Sequence, residues 1–426
     1  MNALILLLLA ALQDPVVDFG PMVGHVGSDE ARIWVKASGE TSYFVVWSDR
    51  ADLSNPRSSG EIKLDASTEF AGHVRIQGLS PSARYWYAPV LGGRMGAVAP
   101  YPSFMTAPPP GAKGKVRFAF GSCVGKDGVD AAACWGEMAE RADFDLLLLL
   151  GDNHYADSTA PAKQRAAYAS HRRPAGYREI TRRTPTYAIW DDHDYGPNNS
   201  DGTTAGKEDS LRTFKEFWAN PAYGEPDNPG VYFAFTRGDV DFILLDSRYY
   251  RTPNAAVEDG RKTMLGARQL AWLKERLAGS KAPVKIVGCG SEFQTQTQPD
   301  CWSSFLRERN EILAFIEEKG IQGVIFISGD RHFTAAYQVG GKHLEVTSGP
   351  LGSRPAQSRE APEMFYYNNV GKLYTVFEID TAGETPAVTL EVYRAGEGRV
   401  WKRPFTWEEV TGAARIPRHS GPPPPK

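Results

Sequence analysis

An α/β fold preceded by an all-β domain is what the sequence predicts, on three observations. Four apolar runs, Phe144–Leu150, Thr186–Ile189, Phe242–Leu244 and Val324–Ile327, read as strands buried on both faces. From Lys115 onward, runs of this kind alternate with helical patterns. Before Pro108, short β-branched or aromatic runs are divided by turn residues, the pattern of an all-β unit.

In chain order, the first element is the apolar stretch Ala3–Leu12, too short to span a bilayer as a helix. Its length suits the hydrophobic region of a secretory signal cleaved near Gln13 or Asp14, although no Lys or Arg precedes it. Residues 1–13 are therefore expected to be a signal peptide and the protein to be secreted or periplasmic; an ordinary buried segment is the alternative. No other run is long and apolar enough to cross a membrane.

Residues 14–106 are expected to form a β-sandwich, with strand candidates at Ala31–Val35, Tyr43–Trp47, His73–Ile76 and Arg84–Val90. Gly78-Leu-Ser-Pro81 followed by Arg84-Tyr-Trp-Tyr87 has the form of a corner in a fibronectin-like sandwich. Residues 107–115, with three consecutive prolines and Gly111, read as a linker. Residues 116–412 form the α/β unit. Its helix candidates are Asp130–Arg141, with Asp130 as N-cap, and Gly266–Leu277, with Leu270, Leu273 and Leu277 on one face. A third, Asn310–Glu318, brings Ile312, Phe315 and Ile316 together, and Leu373–Val392 returns to strand character. Residues 413–426, ending in four prolines and a lysine, are expected to be a disordered tail.

The 426 residues leave room for two or more domains, and a formal net charge of −3 argues against a nucleic-acid binder that relies on overall charge. Four cysteines in such a length make no disulfide scaffold. Cys134 falls on a helix and reads as core; Cys289 and Cys301 flank a short loop and either pair or stay free.

The chemistry follows the buried runs. Gly151-Asp-Asn-His-Tyr155, Trp190-Asp-Asp-His-Asp194, Leu245-Asp-Ser-Arg248 and Gly329-Asp-Arg-His332 each come directly after one, and Phe118-Ala-Phe-Gly-Ser-Cys123 has the same layout. Strand carboxyl ends are where open α/β sheets place their ligands. Hard oxygen ligands mixed with imidazole and one thiol suggest a metal site. Of only eight histidines, His154, His193 and His332 fall inside these motifs. Asp152 at the end of a buried strand needs a partner, which a cation or a helix N-terminus supplies, and Gly151 allows the sharp turn before it. Asp191, Asp192 and Asp194 crowd around His193 and repel one another unless a cation sits among them; a solvated acidic turn leading into Gly196 is the alternative. Arg248 either clamps an oxyanion bidentately or pairs with Asp246. The basic stretch Arg165, Arg172, Arg173, Arg178, Arg182 and Arg183 either focuses an anionic substrate or is a solvated helix face.

Taken in this order, the motifs resemble the alkaline phosphatase D (PhoD-like) branch of the calcineurin-like metallophosphatases, and Gly266-Ala-Arg-Gln-Leu-Ala-Trp-Leu273 resembles a helix of that branch. The resemblance runs from Val23 to about Phe405. It implies an α/β/β/α metallophosphatase sandwich holding two metals, Fe3+ and a second divalent cation, Ca2+. Within that pattern Cys123 and Tyr155 would bind the iron as thiolate and phenolate, and Asp152 would bridge both metals. Asp192 and Asp330 would bind the second metal, His332 the first, and His193 would act as acid or transition-state hydrogen bonder, with Arg248 beside it. The implied reaction is hydrolysis of small phosphate mono- or diesters by a metal-bound hydroxide. One departure is that Gly288-Cys-Gly-Ser-Glu-Phe-Gln294 offers no histidine where related metallophosphatases often have a ligand, so Ser291 or a water is expected to fill that place. Oxygen-rich ligation there favours calcium, magnesium or manganese over zinc. Two other readings stand beside this one: a purple acid phosphatase, which shares a Gly-Asp-x-x-Tyr element, and a secreted binding protein whose metal site is structural.

Overall fold

Leu146–Leu150 is five consecutive leucines in one strand, every one buried, and this run shows how the fold is built. A strand that is apolar on both faces must be covered on both. Here one face meets helices and the other meets a second sheet. The structure, a computed structural model, describes residues 14–295, 299–358 and 361–417. The expected signal peptide and residues 418–426 of the expected tail lie outside the described residues.

The first sheet has six strands, in the order Thr186–Ile189, Leu146–Leu150, Lys115–Gly121, Leu373–Asp380, Ala387–Arg394, Gly398–Phe405. The first three run parallel and the rest are antiparallel. The second sheet has seven, in the order Phe233–Arg237, Val240–Leu244, Val284–Cys289, Val324–Ser328, His343–Thr347, Thr334–Val339, Met364–Asn368, with a parallel centre. The two pack face to face: Phe118 of the first meets Phe242 of the second edge-on at 5.2 Å. The outer face of the second sheet, carrying Ile243, Val287 and Phe326, packs on the helices Gly266–Gly279 and Leu306–Glu318 through Trp272, Leu273, Ile312 and Ile316. Helix Ala132–Arg141 packs on the first sheet's side through Cys134, Trp135 and Met138. This is the α/β/β/α sandwich.

Strands Val17–Val26, Glu30–Ala37 and Ala71–Gln77 form one sheet of the N-terminal region, and Thr41–Ser48 pairs with Arg84–Leu91 in another. They enclose a separate core of Ile33, Val45, Tyr43, Leu64 and Ile76. The hydroxyl of Tyr85 accepts the Ser80 amide at 2.9 Å, closing the corner that the Gly78–Pro81 segment suggests. Trp34 faces outward from this core and ties the two regions together: its Nε1 donates to the Glu216 carbonyl at 2.7 Å.

Several expectations are corrected. Helix Ala132–Arg141 starts after Asp130, whose carboxylate accepts the Asp127 amide instead of capping the helix. All four cysteines are buried, and of the two options left open for Cys289 and Cys301 the structure shows no disulfide between them. Within 413–417, Ile416 is buried and its amide donates to Gln338 Oε1 at 2.9 Å. Arg172 belongs to neither an anion funnel nor a solvated face. It is buried, donates to the Phe217 carbonyl at 2.6 Å, and has Trp34 and Trp218 over its guanidinium.

Candidate metal centre

Parallel strands of both sheets end at one edge of the sandwich, and the functional side chains are delivered from six of those ends. Cys123, Asp152 and Asp330 each follow a strand and adopt φ of +61°, +53° and +63°. This left-handed backbone costs a non-glycine residue on the order of 1 kcal/mol and recurs where a side chain is aimed at a ligand. Gly151, at φ +97°, completes the turn that aims Asp152.

One group gathers around Asp152 Oδ2. Cys123 Sγ lies 3.5 Å away, the Tyr155 hydroxyl donates to it at 3.1 Å, and that hydroxyl is 3.3 Å from His332 Nε2. Ser353 Oγ adds a contact to the phenol at 2.9 Å. A second group consists of Asp152, Asp192 and His193, and a third of Asp191, Asp192 and Asp330; in each, the ligand atoms lie within 4.8 Å of one another. The structure thus brings together Cys123, Asp152, Tyr155, Asp192, His193, Asp330 and His332.

The electrostatics of this edge call for cations. Burial, reinforced by Asp192 and Asp191, pushes the Asp152 carboxyl well above the carboxylate range, and burial does the same to Asp330. Burial lifts the Cys123 thiol and the Tyr155 phenol. His332 is pushed down by burial, which keeps its ring neutral and a lone pair available. Three buried carboxylate oxygens, Asp152 Oδ1, Asp191 Oδ2 and Asp192 Oδ1, have no hydrogen-bond partner. An orphaned buried acceptor is costly, and a cation placed between several of them removes the cost. The donors present fit a metal pair: sulfur, phenol and imidazole on one side, carboxylates alone on the other.

Two of the sequence candidates are placed differently. Arg248 is fully buried, with Nε donating to Asp191 Oδ1 at 2.6 Å, Nη2 to Asp300 Oδ2 at 2.9 Å and Nη1 to the Ser200 carbonyl at 3.2 Å. Only its backbone amide reaches Asp246. Its guanidinium therefore neither faces an open pocket nor pairs with Asp246. Ser291 Oγ is occupied by Arg251 Nη1 at 3.1 Å, so it does not stand in for the missing histidine. At the neighbouring Gly290, a Cβ would come within 2.7 Å of Asp191 Oδ1, so that position takes no side chain. His154 turns away from the centre, edge-on to Tyr168 at 4.2 Å, with Nδ1 accepting the Ala156 amide.

Asp191, part of the acidic cluster read from the sequence, joins the third group, and its Oδ1 holds Arg248. Sequence reasoning missed three contributors. Asp157 pairs with His193, Asp300 braces Arg248 and Arg251, and Ser353 touches Tyr155. Asp157, five residues after Asp152, was within reach of motif reading; Asp300 and Ser353 carry no local signal.

Two sheets packed face to face between helices, with carboxylates, imidazoles and one thiol collected at the strand ends, define a metallophosphatase fold. Residues 118–385 match the PhoD-like phosphatases, and with more than half its length matched the chain belongs to that family. It is 27% identical over 312 residues to alkaline phosphatase D of Bacillus subtilis (strain 168), covering 61% of this chain and 53% of that protein. It is 27% identical over 233 residues to purple acid phosphatase 23 of Arabidopsis thaliana, covering 50% and 46%. The chain thus spans about half the length of the curated relatives it matches. Among solved structures, that of PhoD superposes with a TM-score of 0.74 at 18% identity, covering 96% of this chain and 94% of that one. Purple acid phosphatase PPD1 from yellow lupin (Lupinus luteus) seeds gives 0.68 at 14% identity, covering 92% and 74%. Both structures share the fold. Among the described residues, no helix is long and apolar enough to cross a membrane.

Proposed function

We propose that this protein hydrolyses phosphate esters at a centre built to hold two cations. The observation that carries the reading is the set of buried oxygens of Asp152, Asp191 and Asp192 that accept no hydrogen bond, beside the Cys123–Tyr155–His332 group. Cys123, Tyr155 and His332 would hold Fe3+, Asp192 and Asp330, with Asp191, would hold Ca2+, and Asp152 would lie between them. When bound, the cations neutralise phosphoryl oxygens and acidify a water.

The chain's own residues do the rest. His193 is partly open to solvent and faces Asp152 and Asp192, so it meets the ester oxygen that departs and gives it a proton. Its Nδ1 is held by Asp157 Oδ1 at 2.5 Å, which fixes the ring and leaves Nε2 for that task. Arg248 acts through Asp191, whose orientation it sets, and not on the substrate. The apolar stretch at Ala3–Leu12 supports action outside the cytoplasm.

The test is hydrolysis of 4-nitrophenyl phosphate and bis(4-nitrophenyl) phosphate by the purified protein loaded with iron and calcium. Turnover of either, lost in Asp152→Ala, supports the reading. A folded, metal-loaded protein that turns over neither sinks it.

A further inference from the structure

We propose that Arg331 is the residue that grips the phosphoryl group of the substrate, a role the buried Arg248 does not fill. The proposal rests on the phosphate-ester reading above and assigns that reaction a residue of its own.

The centre is open to solvent only at its rim. Cys123, Asp152, Asp191 and Asp192 are buried. The side chains that solvent still reaches are His193, Asp330 and Arg331, at 18%, 16% and 13% exposure, together with partly buried Tyr155 and His332. These residues rim the approach to the centre. Arg331 brings a permanent positive charge to that rim. Its backbone carbonyl is 3.8 Å from Cys123 Sγ and its Nη1 is 3.9 Å from Asp330 Oδ2, so the guanidinium sits within one side chain of the proposed ligands.

The state of that guanidinium is the second observation. Its Nε is buried and makes no hydrogen bond. Its two ion pairs, 3.5 Å to Glu292 Oε2 and 3.9 Å to Asp330 Oδ2, are longer than hydrogen bonds, whereas Arg248 spends its donors at 2.6–3.2 Å. The plane is held over the Phe333 ring at 5.1 Å. Glu292, fully buried, is fixed by the Tyr337 hydroxyl at 3.2 Å and Gln294 Nε2 at 2.8 Å. A guanidinium positioned by charge and stacking, with donors not engaged by its neighbours, is prepared for a planar, two-point grip on an oxyanion.

Orthophosphate, the product common to all monoesters, is the probe. It is titrated calorimetrically into the metal-loaded protein, with metal content and melting temperature measured alongside. Arg331→Gln is expected to bind phosphate about ten- to a hundredfold more weakly while keeping metal and fold. Affinity within about twofold of the wild type overturns the proposal. Should Arg331→Gln unfold or shed metal, Arg331→Lys decides. It keeps the charge beside Glu292 without the fork, so severalfold weaker binding supports the grip. Unchanged binding, or collapse of this variant as well, overturns it in favour of a purely structural arginine. The two readings fail separately. A wild-type protein that neither hydrolyses esters nor binds phosphate removes the phosphatase reading. An active wild type whose Arg331→Gln variant has unchanged KM, kcat and phosphate affinity removes only the role of Arg331.

Discussion

Asp157 Oδ1 lies 2.5 Å from His193 Nδ1, and the His193 ring rests on that of Tyr155 at 4.2 Å. The loop that delivers Asp152 and Tyr155 to the centre therefore also orients a histidine that arrives from another strand. Asp157→Asn is expected to lower kcat by about tenfold to a hundredfold, because the charge-assisted contact that fixes the ring is lost. Metal content should stay at the wild-type level. Unchanged kcat would show that the pair does not matter to the reaction.

His193 and His332 should fail differently. His332→Ala is expected to lose both iron and activity, since its Nε2 belongs to the group around Asp152 and Tyr155. His193→Ala is expected to keep the metal and to lose on the order of a hundredfold in turnover. Its residual activity should be greatest on esters with good leaving groups, which depart without a proton. Metal analysis separates the two: if His193→Ala loses metal as fully as His332→Ala, His193 is a ligand.

Tyr155 offers a spectroscopic test. Phenolate bound to ferric iron absorbs visible light, so the iron-loaded protein should be coloured pink to violet, and Tyr155→Phe should bleach that band without unfolding the chain. An active, iron-loaded and colourless wild type contradicts the placement of Tyr155.

Most of this centre was legible because its proposed ligands are local to the strands that carry them. Asp152, Asp192, Asp330 and His332 sit two to four residues beyond buried runs, so the pattern of the run predicts the place of the side chain. Arg248 shows where that logic stops. Its position after a strand was readable, but its partner Asp300 lies 52 residues away, and only the folded chain shows that the guanidinium is consumed in an internal ion network. Asp130 fails for a different reason: a good capping residue was overridden when its carboxylate found the Asp127 amide in the preceding turn. Composition likewise says nothing of Ile416, which finds a place against Gln338.

The buried acids also set a pH dependence. Burial raises Asp194 from its ordinary 3.8 to about 7 and Glu345 from 4.5 to about 8. Because the folded values exceed the unfolded ones, each group adds stability that is complete below the unfolded pKa and lost as pH rises through the folded one. Each is worth on the order of 4 kcal/mol when fully lost. Burial holds His73, His171 and His343 down at about 4, so they add stability as pH rises toward their ordinary 6.5 and oppose this trend below that point. Chelator-stripped protein is therefore expected to melt at progressively lower temperature from about pH 6.5 to pH 8. Thermal scans of the stripped protein across that range check this; a melting temperature that rises toward pH 8 would refute it.

The central claim is that the grouped thiol, phenol, imidazole and carboxylates hold cations that the reaction requires. The most direct measurement is 4-nitrophenyl phosphate turnover by one preparation as isolated, after stripping with chelator, and after reloading with iron and calcium. The account predicts activity that disappears with the metal and returns with it. Turnover that survives complete stripping, or that no combination of metals restores or elicits, would contradict it.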